Sequence, residues 1–335
     1  MKKLIVLALV ALIVSGGALW AVGDAQGGAK KSGVPTIVIM PKFLGLPYFN
    51  VSEVGVKQAA QDIGVNVIFT GPATADAAEQ VRMIEDLISK GVDAIAVAPN
   101  DAAALAPVMR RAKQAGILVM DWDTSMDPSV IDLSVHQVDD DGYAEHMWDV
   151  LAEGMGGSGD YAILTGGLSA TTLNNWIDHG TAYAKKKYPN MNLVTERIPT
   201  DDKTQVAYQK SLDLITTYPN LKGIVCISSA TPHGAAQAVQ EKGLIGKITV
   251  VGTATPSDAG PFLEDGSLYR AILWDPSKLG YLTVILANDM LQGKKPVDGQ
   301  NVPKIGKISV KPDGKTVIMG PPSDFTKENY KSFGF

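Results

Sequence analysis

Short apolar runs alternate along this chain with longer segments whose apolar residues recur every three or four positions. The first run, Thr36–Met40 (TIVIM), is rich in β-branched residues and predicts a buried strand. It ends at Pro41, which has no N–H to give to a ladder. A loop with Lys42, Phe43, Tyr48 and Phe49 follows, and residues 54–63 then take up helical spacing. Strands are predicted at 66–69, 94–98 and 117–120. The intervening segment has apolar positions at Val81, Ile84, Leu87 and Ile88 and stops at Gly91, as a capped amphipathic helix does. Asp101 is placed to cap the next helix. Residues 131–135 predict a further strand, leaving the sheet.

The rhythm restarts near residue 138. Helices are predicted at 142–153, from about 171 to 188, at 204–217, up to Gly243 and at 279–291. Strands are predicted at 161–164, 193–198, 223–227, 248–251 and 268–274, and a hairpin turns at Asp313-Gly314. Alternation of this kind gives parallel sheets covered by helices on both faces. The series is too long for one open sheet. The expected fold is therefore α/β, two Rossmann-like lobes joined by a hinge, with a cleft between them. Residues 34–138 and 276–298 are assigned to the first lobe, and 139–275 and 299–335 to the second.

The N-terminus stands apart. Lys2 and Lys3 precede an apolar run, and Gly23-Asp24-Ala25 offers small residues for cleavage. This predicts a signal peptide over 1–25 and a tether over 26–33, with an apolar run too short for a membrane span. No Cys follows the cleavage point, so a secreted protein without a lipid anchor is expected. The only cysteine, Cys226, has no partner in the chain, which leaves the fold to its core. With 45% hydrophobic and 19% charged residues and a formal net charge of −5, the chain lacks the concentrated Lys and Arg that nucleic acid demands.

The unusual polar and aromatic residues follow predicted strands, where open α/β sheets bind ligands. Lys42, Phe43, Asn100, Asp121, Trp122 and Asp123 come from the first lobe, and Thr171, Thr172, Asn174, Asn175, Trp176, Ser228 and Ser229 from the second, with Thr172, Asn175 and Ser229 the preferred ligand contacts there. Trp274 and Asp275 sit near the crossing between them. Facing lobes would bring these to one cleft, and they suit a neutral sugar or polyol. A carboxylate accepts from adjacent hydroxyls, Lys and amides donate, and charge-assisted bonds are about twice as strong as neutral ones. Trp offers a plane to the C–H face of a ring. Asp121 and Asp123 alternate, so one can face the cleft while the other faces the core. Asn175 either meets ligand or caps a helix. Asp139, Asp140 and Asp141 read as helix N-terminal residues, and the four histidines lack metal-ligand spacing, so no metal or cofactor is expected. No nucleophile elbow or Walker loop is present, which argues against an enzyme.

The stretches MPKFLG, TGPATADAAEQVRMIEDLISKGVDAIAVAPND, ILVMDWDT, TLNNWID, KITVVGTATP and ILWDPSKLGY resemble, in order, the type I periplasmic sugar-binding proteins of ABC importers. The likeness is greatest to the autoinducer-2-binding and rhamnose-binding branch. That resemblance implies a periplasmic, monomeric solute-binding protein that delivers its ligand to a membrane permease, or presents it to a chemoreceptor or sensor kinase. It also implies ligand contacts from Lys42 and Asp123. Autoinducer-2 binders carry an Asp-Gln pair before Asn-x-Trp, where this chain has Thr172-Leu173, and a Pro and an Ala at the positions of Ile227 and Ser229. Half of that pattern is absent, so a related sugar or polyol is expected in place of autoinducer-2.

Overall fold

The computed structural model describes residues 33–335. The expected signal peptide and nearly all of the expected tether lie outside them. The first lobe begins β1 (Thr36–Met40), α1 (Pro47–Ile63), β2 (Asn66–Phe69), α2 (Ala77–Lys90), β3 (Ala94–Val97), α3 (Ala102–Gln114), β4 (Leu118–Trp122) and β5 (Leu133–His136). The second contains α4 (Asp140–Met155), β6 (Gly159–Thr165), α5 (Thr171–Lys187), β7 (Met191–Leu193), β8 (Ile198–Pro199), α6 (Thr204–Thr217), β9 (Leu221–Cys226), α7 (Thr231–Glu241), β10 (Thr249–Gly252), α8 (Pro256–Asp265) and β11 (Arg270–Leu273). Local chemistry sets the helix ends. Asp76, Asp101 and Asp139 accept the N–H groups of Glu79, Ala104 and Gly142, each at 3.0 Å. Gly64, Gly91 and Gly156 close α1, α2 and α4 in the left-handed region.

In the first sheet β1 lies between β2 and β3, followed outward by β4 and β5, all parallel. The second repeats this plan, with β6 between β7/β8 and β9, then β10 and β11. Strand order reverses between β1 and β3, and again between β6 and β9. Crevices at such switch points are where doubly wound sheets bind ligands. Side chains alternate along β1: Ile37 and Ile39 join one core, Val38 and Met40 the other, so both faces of the sheet are buried.

The chain returns to the first lobe through α9 (Pro276–Leu291). Gly55 of α1 and Gly280 of α9 let the two helices meet backbone to backbone. A Cβ on Gly55 would stand 1.7 Å from the Ser277 carbonyl oxygen, and one on Gly280 would stand 2.3 Å from that of Ser52.

Three elements differ from expectation. The strand near 131–135 does not leave the sheet; β5 pairs parallel with β4. Helix α8 lies between the strands expected at 248–251 and 268–274, where no element was predicted; Gly260 and Pro261 interrupt its pattern. The tail, expected with the second lobe, divides. After a small ladder of β12 (Asn301–Val302) and β13 (Gly306–Lys307), β14 (Ser309–Val310) and β15 (Thr316–Ile318) form the predicted hairpin. β15 pairs with β5 and so extends the first sheet. β16 (Ser323–Phe325) then pairs antiparallel with β11 in the second. The chain thus crosses between sheets three times, after β5, β11 and β15.

Candidate functional site

The loop after β1 is held from beneath. Gln80 of α2, fully buried, donates Nε2 to the carbonyls of Pro41 (3.2 Å) and Ala98 (2.9 Å) and accepts the Asn100 N–H at 2.9 Å. Asn100 in turn donates Nδ2 to the Lys42 carbonyl at 2.7 Å. These bonds tie the ends of β1 and β3 together at the switch point and fix the backbone that carries Lys42, which is 6% exposed.

At the end of β4 the two aspartates part. Asp121 turns into the protein and accepts the Met126 N–H at 2.6 Å and the Ser134 hydroxyl. Burial pushes its carboxyl up to about 6, against the pull of the His136 charge and these hydrogen bonds. Trp122 is wholly buried, donates Nε1 to the Met40 carbonyl at 3.1 Å and meets Phe49 edge-on at 5.7 Å. Asp123 adopts φ 65°, a left-handed turn that Asp tolerates better than most residues. Its carboxylate accepts the Tyr48 hydroxyl at 2.6 Å, and Tyr48 accepts the Trp274 indole N–H at 2.9 Å. Burial raises the Asp123 carboxyl; the Lys42 charge and the Tyr48 hydrogen bond oppose it.

Asp121 makes a pH prediction with a definite sign. Its folded value of about 6 exceeds the ordinary 3.8, so the native state holds the proton more tightly than the unfolded chain. Its contribution to stability therefore falls as pH rises from about 4 to about 6. At 1.36 kcal/mol per unit, full ionisation costs about 3 kcal/mol. Asp121→Asn can accept the Met126 N–H through Oδ1 and donate Nδ2 to the Ser134 hydroxyl, which reverses that bond and removes the charge. Its stability relative to wild type should rise by about that much between pH 4 and pH 7, measured by denaturant unfolding. A difference that does not change with pH would contradict it.

The second lobe contributes the first turn of α5, the loop after β9 and the residue after β11. Together the lobes form a partly open cleft lined by Lys42, Tyr48, Phe49, Asp123, Gln137, Thr172, Trp176, Asp202, Ser228, Ser229, Thr253 and Trp274, among others. Its floor is aromatic. Trp176 and Trp274 are 6.0 Å apart, Trp274 and Tyr48 6.0 Å, and Tyr48 and Phe49 5.1 Å, with rings edge to face. Tyr143 packs beneath both tryptophans and is held by the Ile272 carbonyl at 3.0 Å. Two shielded polar atoms in this lining, Gln137 Oε1 and Ser228 Oγ, have no hydrogen-bond partner in the protein.

Five of the expected residues thus converge: Lys42, Asp123, Thr172, Ser229 and Trp274. Asp121 and Trp122 do not line the cleft, because the turn at Asp123 leaves both directed into the core. Phe43 is half-buried against the edge of Phe49 at 6.4 Å. Asn100 braces the loop and reaches only the outer mouth. Asn175 is exposed on α5. Asp275 caps α9, accepting the Ser277 N–H at 2.9 Å. Tyr48 of the first loop and Trp176 and Ser228 of the second lobe join the five in the lining, as the sequence pattern suggested. Gln137, Asp202 and Thr253 were not expected in the lining, and Gln137 and Asp202 carry no local mark that could have signalled them.

The lobes also touch directly beside the cleft. The Ser125 N–H donates to Thr172 Oγ1 at 3.0 Å, and the Ser169 hydroxyl donates to the Asn100 carbonyl at 2.8 Å. Ser125 Oγ is in turn 3.1 Å from His136 Nε2, and His136 Nδ1 is 3.2 Å from Asp140 Oδ2. Thr172 therefore acts as a latch as well as a wall. Thr172→Val should weaken ligand binding about 2- to 10-fold, the worth of one neutral hydrogen bond, with the melting temperature nearly unchanged. Titration calorimetry beside thermal unfolding measures both, and undiminished affinity would remove the latch.

A family model described as the periplasmic binding protein domain matches residues 37–295. The chain belongs to that family. The match bears out both the two-lobed α/β expectation, read from the alternation of strands and helices, and the resemblance to periplasmic sugar-binding proteins. Among solved structures, LsrB from Clostridium saccharobutylicum in complex with AI-2 superposes with a TM-score of 0.83 at 26% identity, covering 90% of this chain and 100% of that one. A solute-binding protein of an ABC transporter from Clostridium phytofermentas with bound L-rhamnose gives 0.83 at 30% identity, covering 90% and 98%. Among curated proteins, the D-allose-binding periplasmic protein of Escherichia coli is 25% identical over 273 residues, 79% of this chain and 88% of its own. The cleft floored by Trp274 and Trp176 is lined from both lobes.

Proposed function

We propose that this periplasmic binding protein captures a small neutral sugar or polyol in the Lys42–Asp123 cleft and delivers it, in the periplasm, to the permease of an ABC importer. The observation that carries this reading is the pairing of an acceptor and a donor over aromatic rings. Asp123 keeps accepting capacity beyond the Tyr48 bond, since a carboxylate takes up to about four hydrogen bonds. Lys42 brings donors beside it, and Gln137 Oε1 and Ser228 Oγ add an acceptor and a hydroxyl. Lys42 offsets Asp123, and the further carboxylate of Asp202 in the lining disfavours an acidic ligand. The rings beneath suit the C–H face of a saccharide.

Closure supplies the mechanism. A ligand touching both lobes favours the arrangement in which Thr172 meets Ser125, and so shifts the population toward it. The closed lips then form the surface that a permease would recognise. Binding leaves the ligand chemically unchanged, so intact ligand should be recovered from the complex. The names of the relatives set the first panel: L-rhamnose, D-allose, D-ribose and D-arabinose, with other pentoses, hexoses, deoxyhexoses and polyols. Calorimetry should give a saturable heat with at least one of them. Neither heat nor thermal shift with any member would overturn the sugar reading.

A further inference from the structure

The cleft has an annexe. A second pocket of about 230 Å³, partly open to solvent, lies beside it and shares Leu46, Tyr48 and Ser229 with the first. Those side chains are the partition between the two chambers. The annexe is also built from both lobes, since Leu46 and Pro47 come from the start of α1 and His233 and Phe262 from α7 and α8. The closure that encloses a ligand in the first chamber therefore encloses whatever extends into the second.

The annexe has its own chemistry. The His233 ring packs at 5.9 Å from Phe262, and its Nε2 is shielded from solvent with no hydrogen-bond partner among the described residues. Burial holds the imidazole neutral against the nearby Asp258 charge. Nε2 is then a single neutral donor or acceptor, the kind of group that a hydroxyl or a ring oxygen satisfies. Asp258 accepts the Thr255 hydroxyl at 2.7 Å and brings negative charge to the chamber wall, which disfavours a phosphate or carboxylate there. Leu46, Pro47 and Phe262 supply apolar area for the face of a ring. An apolar wall with one convergent neutral polar atom is how small-molecule pockets combine affinity with orientation.

We propose that the preferred ligand carries a second ring, as a disaccharide or a glycoside, with one ring over Trp274 in the main cleft and the other against Phe262 and His233 in the annexe. This rests on the sugar reading above and extends it. The test is calorimetry with the monosaccharides of the panel, their methyl and phenyl glycosides, and disaccharides built from them. A two-ring ligand is expected to bind at least about 10-fold tighter than its parent monosaccharide. His233→Ala and Phe262→Trp, the second of which fills the chamber, should bring it back to the level of the monosaccharide while leaving the monosaccharide itself within about 2-fold. Tightest binding by a free monosaccharide, with glycosides excluded, would overturn the annexe and leave the sugar reading standing. No binding by saccharides of either size would overturn both. The comparison of ligands on the wild-type protein decides the matter even if a variant fails to fold.

Discussion

Asp123→Asn is expected to weaken ligand binding about 100- to 1000-fold. Each hydrogen bond to a charged acceptor is worth about 1.5–3 kcal/mol, and a carboxylate facing two sugar hydroxyls makes two of them. The substitution also removes the charge facing Lys42, which is left 6% exposed without its neighbour. Asparagine is the right replacement because the site has φ 65°, which Asn tolerates and Ala does not. The fold should therefore survive, and the loss can be assigned to binding. Tyr48→Phe is the companion. It keeps the ring in the floor but removes the hydroxyl that donates to Asp123 and accepts from Trp274. That is a loss of positioning, for which about 10-fold is expected. Affinity in Asp123→Asn equal to wild type, by calorimetry at fixed salt, would mean the carboxylate does not meet the ligand.

The contrast between Asp121 and Asp123 shows where sequence stops being sufficient. Residues two apart on a strand share a face, so alternation cannot part Asp121 from Asp123, and the expectation that one faces the cleft and the other the core needed another ground. Which one meets the cleft depends on the left-handed turn at Asp123 and on Ser134 and Met126, which receive Asp121. Neither partner can be found without knowing that β5 runs beside β4. The main strands and most helices were legible because each carries its period over several residues and ends in Gly, Pro or a capping Asp. The tail was not. β14, β15 and β16 are two or three residues long, and their place is set by the strands they join. The start of α1 was hidden: Pro47 reads as loop, yet it begins the helix at a position where its missing N–H costs nothing. Gln137 lines the cleft because the chain crosses between lobes after β5, a consequence of topology with no local signature.

The same dependence on packing makes Gly55→Ala the most damaging small substitution in the fold. Taken alone, alanine would stabilise α1 by about 1 kcal/mol through helix propensity. The sign reverses because the new Cβ would lie 1.7 Å from the Ser277 carbonyl oxygen, and no real contact is that short. The obstacle is backbone, so no rotamer change relieves it. One helix must move, and the reciprocal contact of Gly280 with Ser52 opens with it. Overpacking of this kind costs about 1–3 kcal/mol or more, against the smaller gain in propensity. A fall in melting temperature of several degrees is expected. Gly64→Ala separates this from a generic glycine effect: Gly64 has φ 69° with nothing near its absent Cβ, so it should lose only about 1 kcal/mol of backbone strain. The two variants should also differ in function. Ser277 lies three residues after Trp274, and Tyr48 lies two helical turns before Gly55, so displacing α9 from α1 disturbs the 2.9 Å bond between Trp274 and Tyr48 that orients the Asp123 carboxylate. Gly55→Ala should therefore lose ligand affinity even below its melting temperature, while Gly64→Ala keeps it. If Gly55→Ala melts and binds as the wild type does, the two helices are not in backbone contact and the tie between the return crossing and the site is broken.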